Sequence, residues 1–161
     1  MVIYVNNKDR LPVRKEFDVY PTPYGFCQEA LKALPEDFTP RTALDPGAGT
    51  GVWGRALLAR SPDCRITGVD LRAIEAPVGY KAWYPGVNFL TWDSINRYDL
   101  ILGNPPFKRA EQFIRLAMTM LNPNGYCLFL LRLSFLEGQR RGTRLWQEYP
   151  PAKIIVASKR I

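Results

Sequence analysis

Short apolar runs alternate with helical patterns along most of this 161-residue chain. The run over residues 126–131 is apolar at every position, which is typical of strands that are buried on both faces of a parallel sheet. Strands that alternate with helices predict a parallel sheet with helices on both faces, because parallel neighbours need a crossover connection. We therefore predict an α/β fold with a mostly parallel central sheet.

The apolar periodicity places the individual elements. It predicts strands over residues 42–44, 65–69, 87–90, 98–102, 126–131 and 154–157. It predicts helices over residues 51–60, 110–121 and 140–146. In the first of these helices the residues expected to face inward are Val52, Ala56, Leu57, Leu58 and Ala59.

Composition excludes several classes of protein. No run of 18 apolar residues occurs, so we predict no membrane span, and no basic segment followed by an apolar one opens the chain, so we predict no secretory signal. The cysteines, Cys27, Cys64 and Cys127, lack metal-ligand spacing and indicate reduced thiols in a cytoplasm, bacterial or of a phage-infected cell. The chain has no histidine, which argues against a Ser-His triad or a zinc hydrolase, and we expect no metal site.

Positive charge is concentrated near the end of the sequence. The whole chain carries +7, and residues 132–160 hold seven bases and two acids, an excess of five. Nucleic acid is a natural partner for such a stretch. A solvated basic helix face explains the charge equally well.

The segment LDPGAGTG, residues 44–51, lies directly between a predicted strand and a predicted helix. Gly47, Gly49 and Gly51 allow a tight turn and a close approach to a ligand. Asp70 ends the next strand, about 20 residues further on, where an acid hydrogen-bonds a ribose diol in nucleotide-binding α/β folds. This combination predicts a nucleotide-type ligand at the carboxyl ends of the strands.

Two further segments follow strands of the predicted sheet. Asp93, next to Trp92 in TWDS, is predicted to end a strand, where it accepts a hydrogen bond from an adenine amine or simply initiates a turn. The segment GNPPF, residues 103–107, ends another strand with two prolines and an aromatic residue. Ligands of open α/β sheets bind beyond the carboxyl ends of the strands, so GNPPF lies where a site is expected.

These segments, in this order and spacing, resemble those of class I S-adenosylmethionine-dependent methyltransferases, and more narrowly the amino-methyltransferases of DNA. The resemblance implies a Rossmann-like class I methyltransferase fold and S-adenosylmethionine as cofactor. It assigns the methionine part of the cofactor to Asp45, Pro46, Gly47 and Gly49, and the ribose to Asp70. It places Leu71, Trp92 and Asp93 at the adenine, and it makes Tyr20, Thr22 and Pro23 a lid near the cofactor carboxylate.

The resemblance also makes Asn104, Pro105, Pro106 and Phe107 the acceptor site. An exocyclic amine is a poor nucleophile because its lone pair is delocalised into the ring. The Asn104 side-chain oxygen and the Pro105 carbonyl are suited to accept both of its N–H groups and to aim the lone pair at the methyl group. Phe107 offers a flat face on which a flipped base stacks.

The predicted target is the N6 amine of adenine in DNA, with an RNA base amine or a protein glutamine amide as alternatives. A hypothesis of another class is a cofactor-binding subunit without catalysis. The resemblance to small phage adenine methyltransferases and the basic charge together indicate phosphate contacts by Lys108, Arg132, Arg140, Arg141 and Arg144. Phe135 or Trp146 is placed to stack on a base.

We expect residues 1–161 to form a single catalytic methyltransferase domain, without a separate target-recognition domain. Residues 2–5 (VIYV) are a candidate strand for the sheet edge at which the family adds a further strand. An unfilled edge pairs readily with a second copy, so the predicted state is a monomer or a weak homodimer.

Overall fold

The computed structural model describes residues 1–6 and 21–157 of the chain. Seven strands form one sheet in the order β4-β3-β2-β5-β6-β1-β7. The strands are β1 (Val2–Asn6), β2 (Thr42–Pro46), β3 (Arg65–Asp70), β4 (Tyr80–Pro85), β5 (Tyr98–Gly103), β6 (Leu121–Arg132) and β7 (Lys153–Val156). Each pair of neighbouring strands in this sheet is parallel, which confirms the predicted α/β fold with a parallel sheet.

Helices cover both faces of the sheet. They are α1 (Tyr24–Leu31), α2 (Val52–Arg60), α3 (Ala110–Thr119), α4 (Gln139–Thr143) and α5 (Leu145–Glu148). Leu100 and Leu102 of β5 belong to the core beneath α1 and α2, whereas Ile101 between them belongs to the core beneath α3. Successive strand residues point to opposite faces, so a continuous apolar strand supplies two cores at once.

Strand β1 takes a different place from the predicted one. Residues 2–5 do form a strand, but β1 lies between β6 and β7 instead of at the sheet edge, with Val2 opposite both Leu128 and Lys153. Val2 and Ile3 are 2% and 0% exposed. Burial on both faces stabilises an internal strand, whereas β7 at the edge exposes two of its apolar side chains, Ile154 and Val156.

The strand predicted over residues 87–90 is wrong. Residues 89–91 form a 3-10 turn, because the Asn88 side chain accepts a hydrogen bond from the Leu90 N–H (3.1 Å) and competes with strand pairing. The outer neighbour of β3 in the sheet is β4, which sequence periodicity missed. Strand β4 is a partly exposed edge strand, so it lacks the continuous apolar run of a central strand.

Two helix predictions are also corrected. The helix predicted over residues 140–146 is two short helices, α4 and α5, which are separated at Arg144, whose backbone is not helical (φ −129°). In α2, Ala59 is exposed, and Trp53 takes a buried position that the periodicity did not assign to it.

Asp99 ties the start of β5 to the start of β2. Its Oδ2 accepts hydrogen bonds from the backbone N–H groups of Arg41 and Thr42 (2.9 and 3.0 Å) and from the Thr42 hydroxyl (3.2 Å). Its Oδ1 accepts one from Asn122 Nδ2 (2.8 Å). Burial acts to raise the pKa of Asp99, but these hydrogen bonds outweigh it and the pKa is lowered. Asp99 therefore helps to fix the register of the central strands at the end opposite the glycine turn.

Cys27, Cys64 and Cys127 are buried free thiols, and burial raises the pKa of each to about 12. None of the helices in residues 1–6 and 21–157 is both long and apolar enough to cross a membrane. The same residues contain no group of three or more Cys, Asp or Glu side chains arranged to hold a metal ion.

Candidate active site

A pocket of about 500 Å³ opens beyond the carboxyl ends of β2, β3 and β5. It brings together the glycine-rich turn, the end of β3 and the GNPPF segment, as the parallel sheet predicts. Its lining residues are Pro21, Thr22, Gly47, Ala48, Gly49, Thr50, Val52, Trp53, Val69, Asp70, Leu71, Arg72, Val87, Asn88, Phe89, Asn104, Pro106, Lys108, Arg109 and Phe113.

The glycine-rich turn has the backbone that its sequence predicts. Gly47, Gly49 and Gly51 adopt φ values of +80°, +58° and +73°, in the left-handed region that favours glycine. The N–H groups of Gly47 and Ala48 donate to the Val69 carbonyl (2.7 and 3.1 Å), which fixes the turn against β3. Gly47 and Gly49 line the pocket, so a ligand can approach their backbone closely.

Asp45 and Pro46, predicted to contact the methionine part of the cofactor, do not line the pocket. Both are buried beneath the turn. The Tyr80 hydroxyl donates to Asp45 Oδ2 (2.6 Å) and accepts from the Gly54 N–H (3.2 Å). Asp45 Oδ1 has no hydrogen-bond partner among the described residues.

Burial raises the pKa of Asp45 to about 7, and the Tyr80 hydrogen bond acts in the opposite direction. Burial beside Asp45 raises the pKa of Tyr80 well above its usual value. Asp45 therefore supports the turn from below.

Asp70 lies at the pocket, as the ribose prediction requires. It is 4% exposed, and Gly49 N–H donates to its Oδ2 (2.7 Å). Arg72, which sequence analysis did not select, forms an ion pair with Asp70. Its Nε donates to Oδ1 (2.9 Å) and its Nη2 donates to Oδ2 (3.1 Å). The backbone N–H of Arg72 also donates to Oδ1 (2.9 Å). Burial acts to raise the pKa of Asp70, but the Arg72 and Gly49 hydrogen bonds lower it overall. Asp70 is thus ionised and already paired. Leu71 beside it is 53% exposed at the pocket mouth.

Two of the three residues predicted at the adenine, Trp92 and Asp93, lie outside the pocket lining. Asp93 follows the 3-10 turn rather than a strand, is exposed and does not line the pocket. Trp92 also lies outside the lining and packs its ring 5.0 Å from that of Tyr84. Asn88, five residues before Asp93, does line the pocket. The error follows directly from the strand misplaced over residues 87–90.

The GNPPF segment begins at the last residue of β5, Gly103. Asn104 lines the pocket, and its side-chain nitrogen donates to the buried Thr22 hydroxyl (3.4 Å). This contact ties the Asn104 amide to the segment before α1, and the amide oxygen itself is buried. The Pro106 carbonyl accepts the Arg109 N–H (2.9 Å), which makes it part of the turn that starts the following 3-10 helix.

Pro105 and Phe107 lie beside the pocket and are not among its lining residues. Pro105 is buried. The ring of Phe107 is stacked under the Arg132 guanidinium, whose central carbon is 4.0 Å from the ring centre. Arg132 is therefore engaged with the aromatic residue of the acceptor segment, which is a different environment from the phosphate contact predicted for it.

The segment before α1 is only partly described. Tyr20 lies outside the described residues. Thr22 lines the pocket, together with Pro21, whereas Pro23 does not and serves as the N-cap residue of α1.

The predicted phosphate contacts separate into two groups. Lys108, Arg140 and Arg144 are exposed, and Lys108 lines the pocket. Arg141 turns inward: its guanidinium donates to the carbonyl oxygens of Phe135 (2.7 Å), Ser134 and Glu137 and lies over the Phe135 ring. A side chain that donates to three backbone carbonyls is a structural element of its loop, which is a different environment from the phosphate contact predicted for Arg141.

The proposed stacking residues of this region also have neighbours. Phe135 and Trp146 pack against each other with ring centres 5.7 Å apart. Arg109, which the sequence analysis did not select, lines the pocket directly after Lys108. Its position two residues after GNPPF is the sequence signal that could have indicated a pocket residue.

Comparison with known proteins decides the family. The family profile described as methyltransferase small domain matches residues 28–141, well over half of the chain. This chain belongs to the methyltransferase small domain family. The membership confirms the resemblance to class I methyltransferases, with S-adenosylmethionine as their cofactor.

Relatives of this methyltransferase domain include a type II methyltransferase, M.CvrRI, of Paramecium bursaria Chlorella virus XZ-6E. It is 35% identical over 97 residues, which are 58% of this chain and 25% of the relative. The tRNA1(Val) (adenine(37)-N6)-methyltransferase of Aliivibrio fischeri is 34% identical over 80 residues, which are 43% of this chain and 34% of the relative. The matched regions thus cover about a quarter to a third of these curated relatives.

Solved structures share the fold of this methyltransferase domain. The N-methyltransferase NodS from Bradyrhizobium japonicum, solved with S-adenosyl-L-homocysteine, superposes with a TM-score of 0.51 at 18% identity, over 66% of this chain and 61% of NodS. An S-adenosylmethionine-dependent methyltransferase from Clostridium acetobutylicum gives a TM-score of 0.51 at 15% identity, over 67% of this chain and 50% of that one. At these identities the likeness shows the fold alone.

Proposed function

We propose that this methyltransferase transfers a methyl group from S-adenosylmethionine to the N6 amine of adenine in DNA. The observation that carries the proposal is that one pocket holds both the glycine turn and Asn104, the first side chain of GNPPF. A cofactor seated on the turn therefore lies beside a group that is suited to orient an amine. We also propose that this sheet is a single catalytic domain, because both halves of the site belong to it.

The pocket suits the cofactor in size and in its polar groups. Its volume of about 500 Å³ lies in the range of small-molecule sites, roughly 300–1,000 Å³. The turn over residues 47–50 would hold the methionine part, Asp70 the ribose, and Asn88 with Leu71 the adenine. The bound cofactor supplies an electrophilic methyl group on a sulfonium sulfur.

Asn104 performs the central task on the acceptor side. Its side-chain oxygen accepts one N–H of the target amine, and the Pro105 carbonyl accepts the other, so that the nitrogen lone pair points towards the methyl group. The C–N bond forms as the C–S bond breaks, and the amine then loses a proton to water. Preorganised acceptors of this kind act electrostatically and require no histidine.

Phe107 and the exposed bases serve substrate capture in this proposal. Phe107, stacked with Arg132, supplies a platform for the extruded base. Lys108, Arg140 and Arg144 are exposed and positioned to approach phosphates. DNA is the favoured acceptor because of the type II methyltransferase relative and the basic charge.

An adenine amine in RNA is the second candidate, and a specific observation favours it: one relative is a tRNA adenine-N6 methyltransferase. The experiment that tests both is incubation with labelled S-adenosylmethionine and pools of DNA or RNA, followed by mass spectrometry of the nucleosides. We expect N6-methyldeoxyadenosine from DNA. Label only in N6-methyladenosine from RNA would transfer the assignment to RNA, and no label in either pool would refute nucleic-acid methylation.

A further inference from the structure

The pair of Asp70 and Arg72 in the cofactor pocket is unexplained by the proposed reaction. Asp70 is the ribose ligand of the proposed function, yet both of its carboxylate oxygens accept hydrogen bonds from Arg72 and Gly49. The Arg72 side chain lies against the glycine turn, since a methyl group added at Gly49 would be 3.4 Å from Nη2. The guanidinium therefore sits inside the site where the cofactor is expected.

Of the groups that donate to Asp70, two are fixed in the backbone and one is a side chain that can rotate away. The N–H groups of Gly49 and Arg72 belong to the backbone: the glycine turn is fixed against Val69, and the Arg72 carbonyl accepts the N–H groups of Ile74 and Gly86 (3.0 and 3.1 Å). The Arg72 side chain is 28% exposed, whereas that of Asp70 is 5% exposed. Only the guanidinium can therefore swing out to water and leave the carboxylate accessible.

The guanidinium presents its donors in the pattern of a ribose diol. Nε and Nη2 form a fork that donates one hydrogen bond to each carboxylate oxygen. The 2′- and 3′-hydroxyls of a ribose make the same two-donor approach to a carboxylate. Each Asp70 oxygen already accepts two hydrogen bonds, which use both of its lone pairs, so the guanidinium and a ribose diol cannot both bind there.

We propose that the Arg72 guanidinium occupies the position of the cofactor ribose, and that the cofactor binds by displacing it from Asp70. Arg72 is then an affinity-determining residue: the pair satisfies a buried carboxylate before the cofactor arrives, and breaking it weakens cofactor binding. The inference rests on the proposed function, because it requires that Asp70 binds the ribose.

The test is calorimetric titration of the full chain with S-adenosylhomocysteine, which needs no methyl acceptor. Arg72→Ala should bind this ligand about tenfold more tightly than the wild type, the scale of one charge-assisted pair. Arg72→Lys should lie between the two, since a lysine replaces the fork by a single point charge. Arg65→Ala is the matched control, because it removes an equal charge from the exposed start of the same strand, and its affinity should be unchanged.

A double-mutant cycle separates displacement from a general effect of charge. In an Asp70→Asn background, which weakens ligand binding, Arg72→Ala should give no further tightening. Thermal unfolding monitors the fold of each variant, and Arg72→Lys keeps the test available if Arg72→Ala does not fold.

Weaker or unchanged binding by Arg72→Ala would overturn the inference and leave the proposed function intact, since Arg72 would then contact the ligand or be indifferent to it. Tightening that persists in the Asp70→Asn background would also overturn it. No binding of S-adenosylhomocysteine by the wild type would remove the cofactor site, and both proposals would fail together.

Discussion

Replacement of Tyr80 by phenylalanine tests the support beneath the glycine turn. The Tyr80 ring fills space that two glycines leave open: a methyl group at Gly54 or Gly68 would lie 2.4 or 2.6 Å from the ring atoms. Phenylalanine fits the same space but lacks the hydroxyl that donates to Asp45 and accepts from Gly54. The substitution thus removes two hydrogen bonds with little change in packing.

The magnitude depends on the charge of Asp45. A hydrogen bond to a charged group contributes about 1.5–3 kcal/mol, and one between neutral groups about 1 kcal/mol. The pKa of Asp45 is raised to about 7, so in the folded protein Asp45 is mostly neutral below that pH and charged above it. The cost of Tyr80→Phe should therefore grow from about 1 kcal/mol in mild acid to about 3 kcal/mol in mild base.

The pH dependence of the wild type has a definite sign. A carboxyl with a raised folded-state pKa contributes stability that is complete below its unfolded pKa and is lost as the pH rises through about 7. Loss of the Tyr80 donor raises the Asp45 pKa further. The variant should therefore continue to lose stability above about pH 7, where Asp45 of the wild type is already ionised.

Urea unfolding at about pH 5.5 and pH 8.5 measures the cost of Tyr80→Phe and the pH dependence of stability, because these conditions lie on either side of the Asp45 pKa. Tyr84→Phe is the matched control, since Tyr84 is on the same strand and is 37% exposed. Tyr84→Phe should change the free energy of unfolding little at either pH. Equal destabilisation by Tyr80→Phe at both pH values would refute the coupling between Tyr80 and the charge of Asp45.

Two further predictions concern the strand register and the basic surface. Asp99→Ala should lower the free energy of unfolding by about 2 kcal/mol at neutral pH, because four donors lose their acceptor. The loss should be smaller in acid, because the pKa of Asp99 is lowered and its contribution fades as the pH falls. Urea unfolding across pH measures this loss, and a loss that is constant with pH would contradict the prediction. Arg140→Ala combined with Arg144→Ala should reduce the slope of the logarithm of the binding constant for nucleic acid against the logarithm of the salt concentration by up to about two. Arg141→Ala should chiefly destabilise its loop. An unchanged slope in the double variant would remove Arg140 and Arg144 from the interface.

The central strands were predictable from sequence, and so was the proximity of the glycine-rich turn to the GNPPF segment. An apolar run such as β5 reads as a strand buried on both faces, and parallel strands bring their carboxyl ends to one edge. The glycine turn and Asn104 therefore meet as expected. Strand β4 was missed because its partly exposed edge lacks that apolar signal, and the error carried Asp93 to the wrong place.

Side-chain pairing was beyond the reach of sequence. Arg72 and Asp70 are two positions apart, and nothing in that spacing shows whether the guanidinium turns into the pocket or out to solvent. Arg141 illustrates the reverse case: counted as a charge it suggests phosphate, but in the fold it holds carbonyl oxygens of its own loop. Charge and spacing predict which residues are available, and packing decides which are already engaged.

The amide of Asn104 carries the central claim, and its removal tests that claim most directly. The measurement is the single-turnover rate of N6-methyldeoxyadenosine formation by Asn104→Ala, with S-adenosylhomocysteine affinity measured in parallel. A group that acts on the pyramidalising nitrogen matters most in the transition state, so the rate should fall about 100-fold or more while cofactor affinity changes little. Transfer at a near-normal rate would show that GNPPF only terminates β5, and would contradict the proposed mechanism.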